Sequence, residues 1–109
     1  MIKEIAGFYS LSVKDGDSLT FVEWYFDDLT DLKKLNYTIP GILVFAHSDF
    51  KESTNASDSI QLLSVFQTDS VKGFINTLDP EAMPEANIIL VRQQDNPMER
   101  ETEYNKIEI

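Results

Sequence analysis

The longest apolar run in the chain, Ile42-Leu43-Val44-Phe45-Ala46, is opened by Pro40-Gly41 and closed by His47-Ser48-Asp49. Five apolar residues are too few for a buried helix, and the β-branched and aromatic side chains among them favour a strand. In a strand Ile42, Val44 and Ala46 point one way and Leu43 and Phe45 the other, so both faces need cover and the strand belongs inside a sheet. Pro40 precedes the pairing residues and removes no ladder donor.

The remaining periodicities build outward from that strand. Ile5, Gly7, Tyr9, Leu11 and Val13 occupy every second position, with Lys3 before them and Ser10 and Ser12 between, Lys14 to Ser18 supplies turn chemistry, and Leu19 to Phe26 reads as a second strand, which predicts a hairpin. Phe21 and Tyr25 fall on one face of its second strand, and Val22, Trp24 and Phe26 on the other. Asp15-Gly16-Asp17 reads as the hairpin turn rather than a calcium loop, because the further oxygen ligands are missing. Asp27-Asp28 are placed to cap a short helix carrying Leu29, Leu32 and Leu35 at three-residue spacing, with Lys33 and Lys34 complementing its C-terminal dipole.

After the central strand, Asp49 to Ser59 is polar and without period, as in a solvated loop. Ile60 to Gln67 reads as a strand with Ile60, Leu62 and Phe66 on one face and Leu63 and Val65 on the other. Thr68 is the expected cap of an amphipathic helix bearing Val71, Phe74, Ile75 and Leu78, stopped at Asp79-Pro80. Asn87 to Gln93 reads as a strand, Gln94 to Met98 as a turn, and Thr102 to Ile109 as a charged edge strand. The expected class is therefore α+β: a single, mainly antiparallel sheet of about six strands with two short helices over one face, in the order ββαββαββ. At 109 residues the chain is expected to form one domain over 1–109, built from two ββα units, about 1–38 and 41–79, plus a C-terminal hairpin.

Composition bears on partners and compartment. Nineteen acids against nine bases give a net charge of -10, with nine of the acids before Asn55 and ten after it. Such a field disfavours direct binding of nucleic acid or an anionic membrane and favours basic protein surfaces. No cysteine is present, which removes disulfides and thiolate metal sites and makes the cytoplasm the expected compartment. One histidine and scattered carboxylates predict no metal site, and no Gly-rich or nucleophile motif predicts a cofactor.

Three functional readings follow. The first is a small acidic protein-binding or inhibitory module, of the immunity, antitoxin or phage anti-defence kind, that covers a basic partner surface without catalysis. Its candidate binding residues are Asp15, Asp17, Asp27, Asp28 and Asp31. The second is a small enzyme or ligand-binding domain in which Asp49 orients His47 as a general base beside Tyr9 or Tyr25. The third is an accessory protein that forms homo-oligomers by pairing the edge strand Thr102 to Ile109 with another copy.

Overall fold

The computed structural model describes residues 2–27, 29–48, 60–79, 81 and 85–108. The expected loop Asp49 to Ser59 lies outside this set. Five strands, β1 (Ile2–Ser12), β2 (Ser18–Phe26), β3 (Gly41–His47), β4 (Gln61–Thr68) and β5 (Ile88–Gln93), form one sheet in the order β1-β2-β5-β3-β4, antiparallel at every pairing. A 3-10 helix (Leu29–Lys34) follows β2, helix α1 (Val71–Asn76) follows β4, and helix α2 (Pro97–Lys106) follows β5. Among the described residues no helix is long and apolar enough to cross a membrane.

β3 is the interior strand its sequence predicts, flanked by β5 and β4, and every residue from Gly41 to Ala46 is buried. Its alternation divides the core in two. Ile42, Val44 and Ala46 join Leu11, Leu19, Phe21, Ile88 and Leu90 on one face, and Leu43 and Phe45 join Phe26, Ile89 and Val91 on the other. Gly41 is required by close approach rather than by conformation, since a Cβ there would overlap the carbonyl oxygen of Arg92 on β5.

The β1–β2 hairpin forms as expected, pairing Tyr9 with Phe21 and Leu11 with Leu19. Its turn places Gly16 at φ +88°, where a side chain would be strained, and the Asp15 carboxylate accepts the Asp17 amide at 3.1 Å. The expected first helix is a 3-10 turn. Strict three-residue leucine spacing suits three residues per turn, and both Leu32 and Leu35 are buried.

Four expectations are corrected. The sheet has five strands, not six, because the segment read as an edge strand at Thr102 to Ile109 is mostly helix α2, so the order is not ββαββαββ and that edge is not available for pairing between copies. The start of α2 explains why. Asn96 caps it, its side chain accepting the amides of Met98 and Glu99 at 2.9 and 3.2 Å, and Pro97 takes the first turn, where its missing N–H costs nothing. The helices also cover both faces: α1 and the 3-10 helix pack on the Phe45 side, while Tyr104 and Ile107, at the end of α2, pack on the Val44 side. A sheet apolar on both faces demands this.

Helix α1 is capped by Ser70, not Thr68. The Ser70 hydroxyl accepts the Gly73 amide at 3.2 Å, and Thr68 ends β4 with its hydroxyl bonded to the Ser70 backbone. Finally, β4 bulges opposite Phe45 and Ala46, which pair with Ser64 and Leu62 and leave Leu63 as the extra residue. A bulge reverses side-chain parity, so Leu62 and Val65 share one face and Leu63 and Phe66 the other, against the strict alternation expected.

Candidate functional site

The predicted acidic residues do not gather in one place. Asp15 and Asp17 sit at the hairpin tip and Asp27 at the far end of β2, a separation on the order of 30 Å for a strand of that length. Asp31 lies within the 3-10 helix, 3.9 Å from Lys34, and Asp28 lies outside the described residues. His47 ends β3 as expected, its Nδ1 2.7 Å from the Glu85 carbonyl oxygen, while Asp49 lies outside the described residues. By strand alternation His47 follows Leu43 and Phe45, whereas Tyr9 and Tyr25 pack on the opposite face. The structure therefore separates the histidine from the two tyrosines.

Helix α2 creates an acidic surface that strand reasoning missed. Both of its cations are engaged away from solvent or across to the hairpin. Arg100 is buried and bonds Asp69 at 2.7 Å, and Lys106 reaches Asp15 at 2.8 Å. That last contact holds the Asp15 carboxyl below the usual carboxylate range, helped by the Asp17 amide, and raises the Lys106 ammonium in turn. The Lys14 amide donates to the Lys106 carbonyl at 3.1 Å, so the hairpin tip and the end of α2 are joined through backbone as well.

Behind the helix, Arg92 of β5 makes a two-point bond to Glu103 at 2.9 and 3.1 Å and a third to the Thr20 carbonyl. Gln94 adds a donor to the same Glu103 carboxylate. These bonds, led by the Arg92 contact, hold Glu103 below its ordinary range and fix the angle of α2 on the sheet. Outward on α2 are Pro97, Glu99, Glu101, Thr102 and Asn105 together with Met98, which is 80% exposed, and an open groove of about 510 Å³ runs along Met98, Glu99, Thr102, Glu103 and Lys106. The signal for this surface was present in Asn96-Pro97 with Glu99 three residues after the cap.

A second group emerges on the Val44 side of the sheet. β2 sends Leu19, Phe21 and Tyr25 into that core layer, and Glu23 falls in the same register, opposite Leu90 and only 5% exposed. Burial pushes its carboxyl up from the ordinary value. Tyr9 and Tyr25 pack against the same core layer, and both phenols are raised, first by burial; the charge of Glu23 adds to each, while a hydrogen bond between the Ser48 and Tyr25 side chains works against the rise in Tyr25. The Ser48 backbone is itself fixed by Asn87, whose side chain accepts its amide and donates to its carbonyl at 2.9 and 2.8 Å. Glu23 was also legible in the sequence, as the one charge between Phe21 and Tyr25 on an inward-facing register.

Among the described residues no three His, Asp or Glu side chains converge in a way that would hold a metal ion. Comparison with known proteins finds no matching family model, no matching curated protein and no matching solved structure.

Proposed function

We propose that this protein is a binding module that engages a basic surface of a partner protein through the outer face of α2 and the adjoining hairpin tip. The observation that supports the reading is the disposition of charge on α2: its cations are spent on Asp69 and Asp15, while Glu99 and Glu101 stay exposed beside Met98. An exposed flexible thioether ringed by carboxylates offers an apolar anchor together with complementarity to Lys- and Arg-rich surfaces. The net charge of -10 steers such a partner in from a distance. Asp17 at the hairpin tip extends the same surface beside the Asp15–Lys106 pair, and Asp27 and Asp31 fall outside it. Covering a partner's basic site in this way would inhibit it, as an immunity protein, an antitoxin or an anti-defence factor does.

The test compares capture from the source cells by immobilised wild type, by Met98→Asp/Glu99→Lys/Glu101→Lys, and by a control carrying Asp27→Lys/Glu81→Lys. The expected result is a partner retained by wild type and control, lost with the α2 variant, and released as salt rises. Equal retention by all three proteins would remove α2 from the binding surface.

A further inference from the structure

The sheet ends in two edges, β1 and β4, and only one of them is guarded. A strand edge presents unpaired N–H and C=O groups, and proteins blunt such edges with charge, proline or irregular backbone. β1 carries Lys3 and Glu4 and breaks register between Glu4 and Phe8. β4 has no charge, no proline and no glycine, and residues 62–68 are only half-buried. Its bulge falls at Leu63, so the straight part of this edge is residues 64–68. The Gln94 amide donates to the Pro40 carbonyl at 3.1 Å, which sets the alternation along β3: Pro40, Ile42 and Val44 turn their backbone groups to β5, and Gly41, Leu43 and Phe45 turn theirs to β4. The Phe26 amide on the Asn87 carbonyl gives β5 the same phase from its other side. Thr68, Phe66 and Ser64 therefore spend their backbone groups on β3, and Val65 and Gln67 point theirs out of the sheet, where no described residue bonds them.

We propose that β4 is the interface at which a second copy of this chain joins the sheet, antiparallel about a two-fold axis at Phe66. In that register Val65 and Gln67 of one copy exchange backbone bonds with Gln67 and Val65 of the other, two bonds for each of two pairs, and Phe66 faces its own counterpart in the closer, non-bonded pairing. Opposed residues then lie on matching faces, since 65 and 67 belong to the Val44 side and 64, 66 and 68 to the Phe45 side. An axis at Val65 would instead oppose Gln67 to Leu63 across the bulge, where the faces no longer match. Charge selects the occupant. Two chains of -10 repel wherever carboxylates meet, and β4 is an edge where they do not; Asp69, just beyond it, is paired with Arg100. A basic partner finds its carboxylates on α2 and none along this strand.

Sedimentation equilibrium of the whole chain over a range of concentrations, at low and high sodium chloride, tests the pairing independently of α2. The expected result is a shift from 12.5 kDa to twice that mass, with the dimer tightening as salt screens repulsion between the copies, opposite in sign to partner release from α2. Gln67→Pro removes an outward donor from each copy and leaves the β3 bonds in place, so dimerisation should weaken by about tenfold or more. Gln67→Glu keeps the backbone and adds charge at the contact. It should weaken the dimer at low salt and recover at high salt, which separates lost pairing from misfolding of the proline variant. Register is read by mixing Ser64→Cys with Thr68→Cys, each cysteine unique in a chain that has none: the mixture should oxidise to a disulfide-linked heterodimer faster than either variant alone. A chain that stays monomeric at about 1 mM would overturn the proposal and leave the edge to a strand of another protein. So would a Gln67→Glu dimer as tight as wild type at low salt, or cysteine variants that cross-link no faster mixed than apart.

Discussion

Replacing Glu23 by Gln should make the protein more stable, and the gain should depend on pH in a defined direction. Glu23 titrates in the folded protein above its ordinary value near 4.5, because burial penalises the charged form. Below that ordinary value the folded and unfolded chains both carry the proton, and Glu and Gln at this position are nearly equivalent. As pH rises from about 4.5 towards the raised folded value, the folded state holds a proton that the unfolded state has released, so wild-type stability falls. Above the folded value the loss is complete and constant.

The size follows from the site. Glu23 is 5% exposed, and taking its charge out of water costs more than burying an amide of the same shape, so Glu23→Gln should gain about 1–3 kcal/mol at pH 8 and almost nothing at pH 4. In a domain of this size class each kcal/mol is about 4–8 °C of Tm. Thermal and urea unfolding of both proteins from pH 4 to pH 9 would measure the difference, and the acid-side titrations of Asp15 and Glu103 cancel because both proteins share them. A difference that stays constant across the range, or a variant less stable than wild type at pH 8, would refute the account of Glu23 as a charge held against its preference.

Phe45→Ala should cost about 3–5 kcal/mol, since the ring is fully buried and meets Phe66 edge-on at 5.9 Å, whereas Phe74→Ala should cost about half as much because that ring is only partly covered. Equal melting shifts for the two would show that the Phe45 side of the core is misread. Glu103→Gln should destabilise by about 1.5–3 kcal/mol at neutral pH by breaking the two-point bond from Arg92. Glu103 titrates below its ordinary value, so its contribution is present above about pH 4.5 and is lost as pH falls through the depressed folded value. The gap between variant and wild type should close over that window, and a gap that persists in acid would locate the effect elsewhere.

Local chemistry was enough to place most of the sheet. The run from Ile42 to Ala46 demanded an interior strand covered on both faces, the alternation from Tyr9 to Phe26 around Asp15-Gly16 demanded a hairpin, and Val71, Phe74 and Ile75 marked α1, because each signal is a periodicity within one element. The division of Ile42, Val44 and Ala46 from Leu43 and Phe45 became the division of the core itself. Where a segment carries little apolar signal, tertiary contacts took over. Thr102 to Ile109 has only Tyr104, Ile107 and Ile109 to pattern it, and its helix is secured by the Asn96 cap, by Arg100 reaching Asp69 and by Lys106 reaching Asp15, partners distant in the chain. The bulge in β4 reversed a parity that no local rule would alter.

The candidate surfaces divide in the same way. That the chain is acidic, lacks cysteine and carries one histidine is a property of composition alone. Which carboxylates are outward, which are neutralised and which is buried is decided by pairings between residues far apart in sequence. Asp15 was equally available for a partner until α2 brought Lys106 to it, and Glu23 was one acid among nineteen until β5 and the facing core enclosed it. Charge is written residue by residue, but its free energy depends on distance and burial, and those exist only once the chain has folded.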